Sequence, residues 1–226
     1  AYADPESEIA QSLELLASEK ANSTLEDLFA WMSFNGEAIK TWEEAGGLEE
    51  LAELLGVDPA LTVMDAYSQA WGNGIKDRIK GAAQNLMGSE NDNDVKRAQT
   101  ILATLTESDA VTAFDRYAGV FLTQSGTLRK SVVTLKSPPL AQEFFGTSKT
   151  GPTREGERVL KVVQTILAAQ CLELTRAVYV LAKTYANTYT RAKRARRWLD
   201  FSDQILLVRD LLVRNEVADW VRYKLD

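Results

Sequence analysis

Between residues 191 and 197 the chain reads RAKRARR, which places five cations, Arg191, Lys193, Arg194, Arg196 and Arg197, within seven positions. Lysine and arginine at this density do one kind of chemistry well. They neutralise the phosphates of a nucleic-acid backbone and release its condensed counterions without reading base sequence. At about 100° per residue along a helix, Lys193, Arg194 and Arg197 fall opposite Ala192, Ala195 and Leu199, with Arg191 and Arg196 at the flanks. Arg129, Lys130 and Lys136 form a second, looser set in an irregular stretch. A solvated surface, or a docking face for acidic partners, is built from the same residue types.

Much other chemistry lacks its parts. There is no histidine and a single cysteine, Cys171, so zinc, haem, Cys-His and Ser-His-Asp mechanisms each miss a necessary group. Neither a GxxxxGK[ST] nor a GxGxxG phosphate loop occurs. No catalytic residue, metal ligand or cofactor contact is therefore assigned within these residues. Cys171 lies in an apolar helical stretch and is expected in the core.

The elements that must position the basic residues are helices. With 45% hydrophobic and 26% charged residues over 226 positions, the composition is that of a globular chain able to bury about 70% of its unfolded surface. Charge is uneven: residues 1–110 carry 7 Lys and Arg against 21 Asp and Glu, and residues 111–226 carry 19 against 11. Such asymmetry suggests that one end faces solvent or a basic partner and the other something anionic. No uninterrupted apolar run approaches the roughly 20 residues of a membrane span, and no signal-peptide pattern opens the chain. A soluble, cytoplasmic protein without membrane contact is expected.

Helix signals recur from the start. Asp4-Pro5 and Ser23-Thr24-Leu25-Glu26 read as helix starts, 48–55 as a short helix closed by Gly56, and Asp58-Pro59 as the start of a helix to about Trp71. Residues 88–94 read as an exposed polar loop, and 95–105 and 108–122 as helices, with Phe114, Tyr117 and Phe121 at core spacing. Residues 123–156, punctuated by glycine and proline, read as an irregular, partly mobile connector with a possible short strand at 132–135. After Gly156 neither glycine nor proline occurs, and apolar or small residues recur every three or four positions from Leu160 to Leu199. That is the stripe of one long helix, about 60 Å for forty residues, or of two collinear ones. The expected architecture is all-α: an acidic helical part (1–122), the connector (123–156) and a long helix with its return (157–226), together one continuous domain.

The segment 189–206, YTRAKRARRWLDFSDQIL, resembles the Y…K…LDFDDLI segment of UvrD/Rep-superfamily DNA helicases. Residues 121–136 (FLTQSGTLRKSVVTLK), Glu157-Arg158-Val159 and residues 218–226 (ADWVRYKLD) are similar, in order, to the AddA type. The chain departs from the pattern at Ser202, usually acidic, and Gln204, usually aliphatic. The resemblance implies an accessory 1B-type subdomain and its return to a motor domain, in a parent helicase-nuclease that processes double-strand breaks for recombination. It implies a phosphate loop upstream of these residues and a DEAQD motif downstream, so that ATP and Mg belong to the parent's motor and the fragment alone is not an enzyme. DNA, the remaining motor domains of the same polypeptide and a second helicase-nuclease subunit are the implied partners. Read from the residues alone, Asp200 is a helix N-cap, Asp203 is a favourable first-turn acid, and Leu199 and Phe201 face a core. The rival reading is a helical protein-protein interaction scaffold without nucleic-acid binding.

Overall fold

The computed structural model describes residues 7–19, 22–72, 74–213 and 215–225. The protein is all-α. Twelve helices and no strand occur among the described residues: α1 (Glu8–Glu19), α2 (Asn22–Phe34), α3 (Gly36–Glu44), α4 (Gly47–Leu55), α5 (Val63–Ala70), α6 (Ile75–Leu86), α7 (Asp92–Thr106), α8 (Ala110–Phe121), α9 (Pro139–Phe145), α10 (Arg154–Arg196), α11 (Phe201–Val213) and α12 (Asn215–Leu225). Asp4-Pro5 and the side chains of Ser23, Thr24 and Leu25 lie outside the described residues. The chain forms two compact units, one of Ala1–Gly47 with Leu174–Asp226 and one of Leu48–Glu173. The sequence boundaries at 122 and 156 both fall inside the second.

In the unit Leu48–Glu173, helices α5 to α8 and the first part of α10 enclose Ile79, Leu86, Ile101, Phe114, Tyr117, Phe121 and Phe145. The three-four spacing of Phe114, Tyr117 and Phe121 sets their rings into one core, with Tyr117 and Phe121 edge-to-face at 5.3 Å. Caps fix the helix starts. Asn91 accepts from the Asn93 N–H at 2.9 Å and Asp109 from the Thr112 N–H at 2.8 Å. Helix α5 starts later than Asp58-Pro59: Asp58 instead accepts from the Ala60 N–H at 2.7 Å in a turn, and Thr62 with Asp65 forms a capping box.

Residues 88–94 are not simply an exposed loop, because Asp94 is fully buried in the first turn of α7. Its carboxylate accepts from the hydroxyls of Ser137 (2.5 Å), Thr134 (2.6 Å) and Ser89 (3.2 Å) and from the Thr134 N–H (3.2 Å). Burial works against its charge, yet these donors outweigh it and hold the carboxyl below its ordinary range. This fastens the stretch 123–156 at Thr134 and Ser137. Residues 132–135 form no strand; the N–H groups of Val132 and Val133 both donate to the Gly146 carbonyl at 3.0 Å. Arg97 donates to the Val132 carbonyl. Val132, Val133, Ala141, Phe145 and Thr147 are buried, so the connector is irregular but anchored. Pro138-Pro139 opens α9 rather than merely breaking structure.

Helix α10 runs unbroken for 43 residues, as one long helix and not two. Near its start, Glu155 is buried and accepts from the Tyr117 hydroxyl at 2.8 Å and from Arg158 at 2.6 and 2.9 Å, and Arg158 also donates to the Ala70 carbonyl. Burial and the Glu155 carboxylate push the Tyr117 hydroxyl well above its ordinary pKa. The helix is long and apolar enough, by length and composition, to cross a membrane. Part of its apolar surface belongs to protein cores: Val159, Ile166, Ala169 and Leu172 are buried in the unit Leu48–Glu173, and Ala177, Leu181 and Ala182 in the other, with Leu16 and Met32, while Leu167 is exposed. Cys171, expected in the core, is exposed.

Candidate nucleic-acid interface

Helix α10 ends on a Schellman motif. The Trp198 N–H donates to the Lys193 carbonyl at 3.0 Å and the Arg197 N–H to the Arg194 carbonyl at 3.2 Å. The left-handed residue such a motif requires is normally glycine; here it is Arg197, at φ 54°. The turn therefore leaves the helical phase at Arg197 and redirects the chain into α11.

Lys193 is where the structure departs most from the helical-wheel reading. Its ammonium does not join the basic face. It reaches across the turn to Asp200 at 2.9 Å and to both Asp203 oxygens at 2.7 Å, and lies 4.7 Å from the centre of the Tyr189 ring. Tyr189 donates its hydroxyl to Asp200 at 3.2 Å. Burial disfavours the Lys193 charge, but the two carboxylates outweigh it and its pKa rises. The Lys193 hydrogen bond, with the Asp203 N–H, pulls the Asp200 carboxyl down to about 2.

Asp200 caps α11 as expected. Its Oδ1 accepts from the Asp203 N–H at 2.9 Å, and Asp203 returns the bond by accepting from the Asp200 N–H at 3.0 Å. The neighbouring apolar residues do not face a core: Leu199 is 61% and Phe201 76% exposed. The wheel misplaced Leu199 because it continued the helix beyond a residue in left-handed conformation.

What remains at this end of α10 is a set of exposed arginines. Arg191, Arg194, Arg196 and Arg197 all face solvent, and none makes an ion pair with a carboxylate among the described residues. Arg191, Arg194 and Arg196 lie on α10, whereas Arg197, placed on the helical face by its spacing, lies past the helix end in left-handed conformation. The carboxylates at hand are engaged elsewhere: Asp200 and Asp203 with Lys193, and Asp210 with Arg209 at 2.9 Å. Sequence reasoning passed over Trp198, which is 62% exposed with the Arg196 guanidinium 5.0 Å from its ring centre. The signal was the Arg-Arg-Trp run itself. Trp198, Arg194, Thr190 and Leu207 help to line a shallow cavity of about 290 Å³.

The second basic set belongs to the unit Leu48–Glu173. Arg129, Lys130 and Lys136 are exposed there, and Arg129 donates to the Gly119 carbonyl at 3.4 Å. They sit on anchored backbone, since the Arg129 N–H donates to the Phe121 carbonyl at 2.7 Å and the Lys136 N–H to the Thr134 hydroxyl at 3.3 Å. No group of three or more Cys, Asp or Glu side chains among the described residues is arranged to hold a metal ion. No protein family, no curated protein and no solved structure matches this chain.

Proposed function

We propose that this chain is a DNA-contacting accessory segment of a UvrD/Rep-superfamily helicase of the AddA type, cytoplasmic and acting in double-strand break repair and recombination. The observation that carries the reading is the set of exposed arginines, Arg191, Arg194, Arg196 and Arg197, beside carboxylates already neutralised by Lys193 and Arg209. Arginines left without protein anions gain affinity by displacing counterions from phosphates. The family-like positions Tyr189, Lys193, Asp200 and Asp203 form one hydrogen-bonded cluster, which fits the role of a fixed elbow behind that surface. ATP and Mg would act in the parent's motor.

A helical interaction scaffold is the second reading, and a specific feature favours it. Helix α11 exposes Ile205, Leu207, Val208, Leu211, Leu212 and Val213 around much of its circumference, and a helix apolar on several sides is one that further protein covers. In the helicase reading that cover is the rest of the same polypeptide.

The two separate in a titration of labelled DNA with this chain at several salt concentrations. Replacing Arg191, Arg194 and Arg197 together by Ala is expected to weaken binding alike for unrelated sequences. The log-log salt slope should flatten by about 0.7–0.9 for each phosphate that is no longer neutralised. Unchanged affinity and slope in a folded triple variant would refute the DNA reading and leave the scaffold.

A further inference from the structure

We infer that the aromatic hollow lined by α2, α3 and α10 is a binding site for a small trimethylammonium solute of the choline type. It lies wholly within the unit of Ala1–Gly47 with Leu174–Asp226 and shares no lining residue with the cavity at the arginine-rich turn. It therefore stands apart from the nucleic-acid reading. Three rings, those of Trp31, Trp42 and Tyr179, line a cavity of about 300 Å³, with Ile39 and Val178 among its other walls. Helical spacing brings them together: Ile39 and Trp42 are three apart on α3, and Thr175, Val178, Tyr179 and Ala182 share one face of α10. Trp42 and Tyr179 meet edge-to-face, their centres 5.5 Å apart and their planes inclined at 60°, which makes the corner of a cage. Trp31 adds a third ring and is left 48% exposed.

Charge says that the occupant is a cation. The face of an aromatic ring attracts a cation within about 6 Å of its centre, and the indole of Trp does so most strongly. Tyr179 already does this for the Lys183 ammonium, 5.3 Å from its ring centre. Lys183 does not line the hollow, and Glu43 balances its charge at 2.6 Å. The helices that supply Trp31 and Trp42 belong to residues 1–47, which carry ten Asp and Glu against two Lys, so the local field favours positive charge. The walls say that this cation carries no N–H. A primary ammonium or a guanidinium brings donors that need acceptors when buried. No carboxylate or side-chain amide lines the hollow among the described residues. Indole N–H groups only donate, and the Tyr179 hydroxyl accepts from Lys183 at 3.0 Å. A trimethylammonium group spreads its charge over an apolar surface and has no donor to satisfy, so it suits both field and walls. The cavity is at the small end for ligand sites, which fits a solute of choline size.

The test is a calorimetric titration of this chain with three probes: choline, its uncharged carbon analogue dimethylbutanol, and ethanolamine, which keeps the charge but carries N–H groups. Choline is expected to bind about ten-fold more tightly than either of the others. Trp31→Leu keeps apolar bulk at an exposed position and removes the ring. It should lower choline affinity about ten-fold and leave dimethylbutanol unchanged, with Trp31→Phe falling between it and the wild type. Trp42→Leu should act as Trp31→Leu does, with circular dichroism showing that both remain folded. If the wild type binds choline and dimethylbutanol equally, or if Trp31→Leu weakens both alike, the hollow is a seat for an uncharged ligand or a protein side chain and the inference falls. Absence of choline binding overturns it as well. Phosphatidylcholine vesicles present the same group on a surface and should sediment no protein; binding to them without binding to free choline would overturn the claim of a small solute. None of these outcomes bears on the arginine reading.

Discussion

Arg197 is where stability and binding should pull in opposite directions. A side chain in the left-handed region costs about 1–2 kcal/mol relative to right-handed backbone, and Arg197 sits there at φ 54° to complete the Schellman turn. Arg197→Gly removes that cost. It adds about 0.5 kcal/mol of extra unfolded-chain entropy and gives up a cation at a helix C-terminus, about 0.3–1 kcal/mol where exposed. It also relieves repulsion from Arg194, a few tenths of a kcal/mol. The balance is a gain of roughly 0.5–1 kcal/mol, or about 1–4 °C in Tm for a chain of this size. Arg197→Ala is the control, since it loses the same charge and keeps the left-handed penalty. Thermal melts followed by circular dichroism should therefore rank Gly above Arg and Ala below Gly, while both variants bind DNA more weakly than the parent, to the same degree. A Gly variant that melts no higher than the Ala variant would refute the claim that strain is held at this turn. Unequal DNA affinities of the two would show that the backbone, and not the charge, governs binding.

Three other predictions follow from the buried and paired groups. Asp94→Ala leaves the Ser137, Thr134 and Ser89 donors without their shared acceptor and should cost about 2–3 kcal/mol in denaturant melts, with hydrogen exchange faster at 131–137 than in α8. Gly146→Ala should be worse tolerated than a surface change, because an added Cβ meets the Gly151 carbonyl oxygen at 2.5 Å on backbone at φ 88°; a loss above about 2 kcal/mol is expected, and a neutral melt would contradict the geometry. Asp200 titrates lower folded, at about 2, than its ordinary 3.8, so its contribution to stability is fully present above about pH 4 and lost as pH falls toward 2. The acid limb of the stability profile should flatten in Asp200→Asn, and an acid limb identical to the parent's would show that the Lys193 clamp contributes nothing.

The long-range frame was legible where signals are local and repeated. Freedom from glycine and proline after Gly156 and a stripe at three-four spacing pointed to one long helix or two collinear ones, of which α10 is the first, and the same spacing placed Phe114, Tyr117 and Phe121 in a core. The Asp200 cap was legible because its acceptor and donor lie three residues apart. Asp94 was not, since its partners Thr134 and Ser137 come some forty residues later and nothing in a polar run marks which acid will be buried. Nor was the anchoring of 132–147, where the Gly146 carbonyl serves two N–H groups far upstream and Arg97 and Asp94 reach in from α7. A periodicity argument sees neighbours along one element only.

The same limit explains the candidate site. A helical wheel assigns Lys193 to the basic face because it assumes that the helix continues. Once Arg197 turns left-handed, residues seven and ten places further on come back within reach of the Lys193 ammonium. The consequence is electrostatic as well as geometric. Had Lys193 stayed among the arginines, Asp200 and Asp203 would be the nearest anions to that face and would draw Arg194 or Arg197 into intramolecular pairs, lowering the charge offered to any polyanion. By holding both carboxylates, one lysine gives up its own place on the basic face and keeps its neighbours free. On the DNA reading, Lys193→Ala should accordingly weaken binding in the same salt titration although Lys193 is itself paired with Asp200 and Asp203. The run RAKRARR thus divides into one cation paired with two carboxylates and four arginines without a carboxylate partner among the described residues.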